Sequence, residues 1–248
     1  MKLKKYLQFP QCSLNEFLAL PKKEALLFDF LTQGEEADRT KLTNEIYCQI
    51  FPWFDKQTMA GDTLITYRIP IKQFYGKYYR YLEREKQLEI LQTIEKFTPH
   101  GEQQIFEFEM VDKKGQPYMQ LCNNYHLGNF VILPKHNGIN PKRAVGPYFD
   151  YFDSFIKVLD DFYNQSMIAD DQLKKAIFQQ KDYFEVFGSF RNFISANYLQ
   201  AFIDNSYNQK LVAKNLSGCS SFEEYVAVAT KIIGQRGNQL WAALQRAK

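Results

Sequence analysis

Tyr148, Phe152, Phe155, Leu159 and Phe162 recur at alternating steps of four and three residues, and no other pattern limits the fold so strongly. At 3.6 residues per turn they share one helix face. A face that apolar has to be buried against other elements. Gly146-Pro147 precedes it, and Pro suits the first helical position, where its missing N–H is not needed. Weaker helical patterns follow at 169–178, 184–202, 222–233 and 238–247, with loops at 205–208 and 217–221. Upstream, Ser13 stands three residues before Glu16, the spacing of a capping box. A second helical piece at 24–31 ends near Gly34. Leu42, Ile46 and Ile50 mark a helix over 40–51 that Pro52 stops, and 71–97 reads as the longest helix. The chain holds 22 Phe and 16 Tyr in 248 residues, so these helices must pack around an aromatic-rich core.

The strand signals are few. Residues 104–111 alternate, 112–115 form a turn, and a second strand lies near 118–122. Phe130 to Leu133 is a third. Residues 59–64 read as a turn-like entry because Gly61-Asp62 sits at their centre. The fold class is therefore mainly α with a small antiparallel β element (α+β), as a hairpin or three-stranded sheet near 104–134. With no repeat, low-complexity tract or linker, we expect one globular domain over 1–248, with the β element and the site around 104–146.

Composition excludes several classes. Cys12, Cys48, Cys122 and Cys219 are far apart and form no CxxC pair, which favours reduced thiols and disfavours structural zinc. No stretch approaches 18 apolar residues, so we expect no membrane span. Polar residues follow Met1-Lys2-Leu3-Lys4-Lys5 where a signal peptide needs an apolar run, so a cytoplasmic location is expected. A net charge of +3 is too small to imply nucleic acid by itself.

The charge is unevenly placed. No Asp or Glu occurs from Lys113 to Phe149, while Lys113, Lys114, Lys135, Lys142 and Arg143 give five positive charges; the remainder sums to −2. Residues 123–143 also carry two of the three histidines and five Asn. A second acid-free stretch, 63–82, interleaves Arg68, Lys72, Lys77 and Arg80 with Tyr67, Tyr75, Tyr78, Tyr79 and Tyr81.

These residues suggest chemistry. His126 can act as a general base near neutral pH, with Asn129 orienting it or holding a metal-bound water. Lys135, Asn140, Lys142 and Arg143 can grip a phosphate, for which Arg offers a planar fork. Asp62 can supply a carboxylate to a magnesium ion, with Thr63 beside it; magnesium needs few protein ligands. The structural alternatives are a His bonded to backbone, an Asx-turn Asn, an Arg paired with Asp150 to Asp161, and an Asp that caps the next segment. Likewise, the Tyr/Lys/Arg stretch either stacks on a nucleic-acid strand or forms the snorkelling rim of a helix.

Gly61-Asp62-Thr63, His126-Leu127-Gly128-Asn129-Phe130-Val131-Ile132-Leu133-Pro134 with Asn140-x-x-Arg143, and Asp150 or Asp153 together resemble a family of uncharacterised bacterial proteins over roughly 50–240. The chain departs from that pattern after Thr63, where Leu64-Ile65-Thr66 stand. Gly128-Asn129-Phe130 to Leu133, with Ile233, Arg236 and Leu240, also resembles the C-terminal part of the HNH nuclease domain of modification-dependent restriction enzymes. That resemblance implies a His-x-x-Pro strand, which neither His100 nor His126 provides, and so either a degenerate nuclease or a likeness of packing alone.

Three function classes follow. The first is nucleic-acid or phosphate-ligand binding through 123–143, as an HNH-like relic in bacterial or phage conflict. The second is a protein-interaction module, an inhibitor or toxin partner. The third is an active metal-dependent phosphodiesterase using His126 and Mg2+.

Overall fold

The computed structural model describes residues 11–28, 30–33, 37–77, 79–97, 107–111, 117–121, 125–135, 152–168, 171–203 and 218–247. The chain is mainly α-helical with a small antiparallel β component. Helix α1 (Leu14–Ala19) opens on the capping box read from the sequence: Glu16 N–H donates to Ser13 Oγ at 3.3 Å and Ser13 N–H to the Glu16 carboxylate at 2.7 Å. Helix α2 (Lys22–Leu27) and α3 (Lys41–Ile50) follow, and Leu42, Ile46 and Ile50 form the buried face of α3.

Five expectations are corrected. Residues 59–64 do not form a turn: Met59–Thr63 is a strand, β1, paired antiparallel with β4 (Phe130–Pro134). The β2 (Glu107–Val111) and β3 (Pro117–Leu121) strands make a separate two-stranded ladder, so Phe130–Pro134 joins a strand far upstream instead of the neighbouring hairpin. Gly and Asp weaken β1 locally, and the partner strand overrides that propensity.

The long helix over 71–97 is broken. Helix α4 (Arg68–Tyr75) ends on Gly76 at φ 71°, the left-handed cap that glycine adopts without strain, and α5 (Arg84–Phe97) begins after a 3-10 turn at Tyr79–Tyr81. Helix α6 (Phe152–Tyr163) carries the aromatic stripe, with Phe152, Phe155 and Leu159 at 0% exposure; its expected start at Pro147 lies outside the described residues. After α7 (Asp171–Gln179), α8 (Lys181–Glu185) and α9 (Phe190–Ala196) divide the helix expected over 184–202, with Gly188 at φ 70° between them. Conversely, α10 (Phe222–Arg246) runs unbroken for 25 residues through the gap expected at 234–237. Each glycine costs a helix interior about 1 kcal/mol, which the buried apolar face of α10 outweighs.

Helix α10 and strand β4 link two hydrophobic clusters. The first half of α10, from Phe222 to Ile233, packs against α4 and α5 and shares one cluster with residues of α6, α8 and α9, and the second half, from Leu240 to Leu244, packs with α1 to α3. Along β4, Val131 and Leu133 enter the first cluster while Phe130 and Ile132 enter the second. Period-two alternation thus sends one strand's side chains into two cores, and β4 is buried on both faces. Edge-to-face and tilted ring pairs extend the second cluster from Trp241 through Phe17 and Phe30 to Phe130.

The 3-10 turn at Leu127–Asn129, just before β4, lies directly on α10. A Cβ on Gly128 would fall 2.0 Å from the Ile233 carbonyl oxygen, whereas one on Gly234, on the exposed side of α10, would meet nothing within 4 Å. Gly128→Ala is therefore expected to cost about 3 kcal/mol or more through backbone displacement, and Gly234→Ala to add roughly 0.5–1 kcal/mol. Urea titrations of the two variants check this opposition of sign.

Candidate functional site

The two sequence motifs singled out meet in the β1–β4 ladder. Asp62 stands opposite Val131 and Thr63 opposite Phe130, and all four sit inside the protein. The ladder continues past Thr63 by other means: Leu64 N–H donates to the Asn129 carbonyl at 2.8 Å. The Asn129 side chain then pairs with the next residue. Its Oδ1 accepts the Ile65 N–H and its Nδ2 donates to the Ile65 carbonyl, both at 2.9 Å. A fully buried amide thus takes the place of a backbone unit, and satisfies two buried groups that would otherwise lack water.

His126 is 6% exposed. Its Nδ1 lies 3.0 Å from the Phe28 carbonyl oxygen, which can only accept, so the Nδ1–H tautomer is present. Burial drives its pKa down to about 4, because a desolvated imidazolium is disfavoured. The ring ties β4 to the end of α2, and Phe30 N–H donating to the Tyr125 carbonyl at 3.1 Å adds a second tie.

Asp62 is 1% exposed, and its Oδ1 accepts the Thr63 N–H at 2.8 Å. Gly61 beside it allows a close approach: a Cβ there would sit 2.2 Å from the Asp38 carbonyl oxygen and 2.4 Å from the Tyr47 hydroxyl. That hydroxyl donates to the Asp38 carbonyl at 2.8 Å, and burial, with Asp38 and then Asp62 nearby, holds it well above the usual tyrosine range. Lys135 is exposed, and its ammonium donates to the Lys56 carbonyl at 2.7 Å. Asn140, Lys142 and Arg143 lie outside the described residues, as do His100 and His136.

The residue that organises this region is Arg236, which the sequence placed in the expected break at 234–237 and in the HNH-like run, and not among the site residues. It is fully buried. Its Nη1 donates to the Gly128 carbonyl at 3.0 Å and also to the Phe130 carbonyl, and its Nε and Nη2 donate to the Asn197 carbonyl at 3.2 and 3.1 Å. Among the described residues these partners are all backbone oxygens. Burial lowers its pKa to about 9, so it remains charged at neutral pH. Tyr198, next to Asn197, adopts φ 55°, a left-handed conformation costly for an aromatic residue. Arg236 fixes the turn that contains it. Helical spacing of Ile233, Arg236 and Leu240 was the available signal, since it puts the Arg on the apolar face.

Among the described residues no group of three or more His, Cys, Asp or Glu could hold a metal ion, and no helix is long and apolar enough to cross a membrane. A hydrated magnesium ion keeps several waters, and the interior position of Asp62 gives those waters little space.

A family model matches residues 69–239, more than half of the chain. The chain belongs to a family of unknown function, DUF6994. The DUF6994 match takes in the His126–Pro134 motif and Arg236, and begins after Gly61-Asp62-Thr63. No curated protein and no solved structure matches the chain.

Two outcomes follow for this DUF6994 member. Asn129→Ala strands two buried groups of Ile65, and Arg236→Met strands the carbonyls of Gly128, Phe130 and Asn197; each should cost about 2–5 kcal/mol in chemical denaturation. The His126 pKa is lower in the folded state than in the unfolded chain, so the unfolded state binds more protons between pH 4 and 6.5. Its contribution is complete above pH 6.5 and lost as pH falls toward 4, by about 3 kcal/mol. His126→Asn, which keeps a donor near Nδ1, should be less stable at pH 7 but should lose less stability on acidification, as denaturation curves at each pH would show.

Proposed function

We propose that the chain acts by binding, without turnover at His126 and Asn129, and that its ligand is a nucleic-acid strand. The fold brings its two acid-free stretches together: Thr63 pairs with Phe130, and the turn at Tyr79–Tyr81 packs on β3. Lys72 and Lys77 are exposed on and just after α4, and Tyr81 is 60% exposed. Cations beside an open ring suit phosphates and a stacked base. We assign the positive face to α4 and the turn after it, where Lys72 and Lys77 are exposed. Asn140, Lys142 and Arg143 are the further phosphate contacts of this reading.

The burial of His126 and Asn129 supports the absence of turnover, because a general base must reach the proton it removes. The two segments that resemble an HNH nuclease also pack on each other, through Arg236 and the Phe130 carbonyl. Such packing suits a relic that keeps the scaffold of a nuclease without its His-x-x-Pro strand.

Fluorescence anisotropy with labelled single- and double-stranded DNA and RNA tests the reading. Affinity should fall linearly with the logarithm of salt concentration. The slope should shrink by about two on Lys72→Ala/Lys77→Ala and by about one on Arg143→Ala. No binding at low salt would sink it. Strand cleavage on adding magnesium, abolished by His126→Ala, would replace it with the phosphodiesterase reading.

A further inference from the structure

A second surface, formed by other elements, carries large apolar side chains that the fold leaves in solvent. Met167 is 88% exposed, Val186 68% and Phe178 51%. Met167 and Phe178 line a groove of about 530 Å³ between the end of α6, the loop after it, α7 and α8, and Val186 follows immediately on α8. Isolated exposed apolar residues are ordinary; a group of them around one concavity marks an interaction surface.

The groove is firmly built. Phe162 meets Phe178 edge-to-face with centroids 5.7 Å apart, leaving the rest of the Phe178 ring exposed. The Tyr163 hydroxyl donates to the Phe184 carbonyl at 2.5 Å, fixing α6 to α8. At the mouth, α6 ends in a Schellman-type turn: Ser166 N–H donates to the Asp161 carbonyl at 2.8 Å, and Gln165 takes φ 54°. Its walls are thus tied by a side-chain and a backbone hydrogen bond, so the groove is formed before any partner arrives.

Charge selects the partner. The charged lining residues are Lys174, Lys181 and Glu185. Glu185 is paired with Lys181 at 3.1 Å. Lys174 makes no ion pair among the described residues, lies one turn before Phe178 on α7, and is followed by exposed Lys175. The lining therefore presents apolar anchors with excess positive charge at one rim.

We propose that this groove is the docking site for an acidic, apolar-faced segment of a partner protein. Two apolar side chains of that segment fill the space over Phe162, Ile168 and Phe178, and carboxylates flanking them reach Lys174 and Lys175. Such a site is independent of nucleic-acid binding at α4.

Selection of a displayed random peptide library on the full chain, with counter-selection against Phe178→Glu, tests the assignment. Enriched peptides should combine two or more apolar residues with flanking Asp or Glu, and should shift amide signals within 162–188. Met167→Glu should weaken them at least tenfold, with thermal unfolding unchanged because the side chain is exposed. Lys174→Glu should weaken acidic peptides about fivefold and favour their Lys-substituted versions. Enriched peptides without acidic bias, or no clones sensitive to Phe178→Glu, would overturn the proposal. So would a concentration-dependent dimer lost in Phe178→Glu, which would assign the groove to a second copy of this chain.

Discussion

The fold depends on a buried positive charge. Arg236 lies where the two hydrophobic clusters meet on α10, and its guanidinium gathers carbonyls from the Leu127–Asn129 turn, from β4 and from the end of α9. Taking a guanidinium out of water is costly unless its donors are satisfied. The planar fork answers that cost by binding three carbonyl oxygens in fixed directions, which a lysine could not do. The same contacts hold the strained backbone at Tyr198 and the glycine contact between residue 128 and α10.

Around this arginine, the most distinctive sequence motif is interior. Gly61 and Gly128 stand where backbones approach too closely for a side chain, and Asn129 completes a ladder that ordinary pairing leaves at Thr63. His126 is neutral and bonded to a carbonyl. A run of Gly, Asn, His and Asp reads as chemistry because these residues also build active sites. Here their placement serves close packing and satisfaction of buried polar groups. The surfaces we propose for function are the face at α4 and the groove between α6 and α8, each carried by exposed side chains.

Much of the local structure was legible. The Ser13–Glu16 capping box, the α3 stripe, the aromatic face of α6 and the three strand segments near 107–134 follow from spacing of a few residues. The expected break in α10 failed because Gly234 and Gly237 were weighed by helix propensity alone. The expected continuity of 71–97 failed because one left-handed residue, Gly76, ends a helix whatever the apolar pattern beyond it.

Sequence by itself determined that the chain is mainly helical with a small antiparallel element and an aromatic core, and that residues 123–143 are chemically unusual. Those properties rest on local periodicity and composition. Tertiary structure alone decided that β4 pairs with β1, that its alternate residues enter two cores, and that Arg236 closes over its carbonyls. Long-range pairing is fixed by which buried faces and polar groups can satisfy one another, and that matching exists only once distant segments meet.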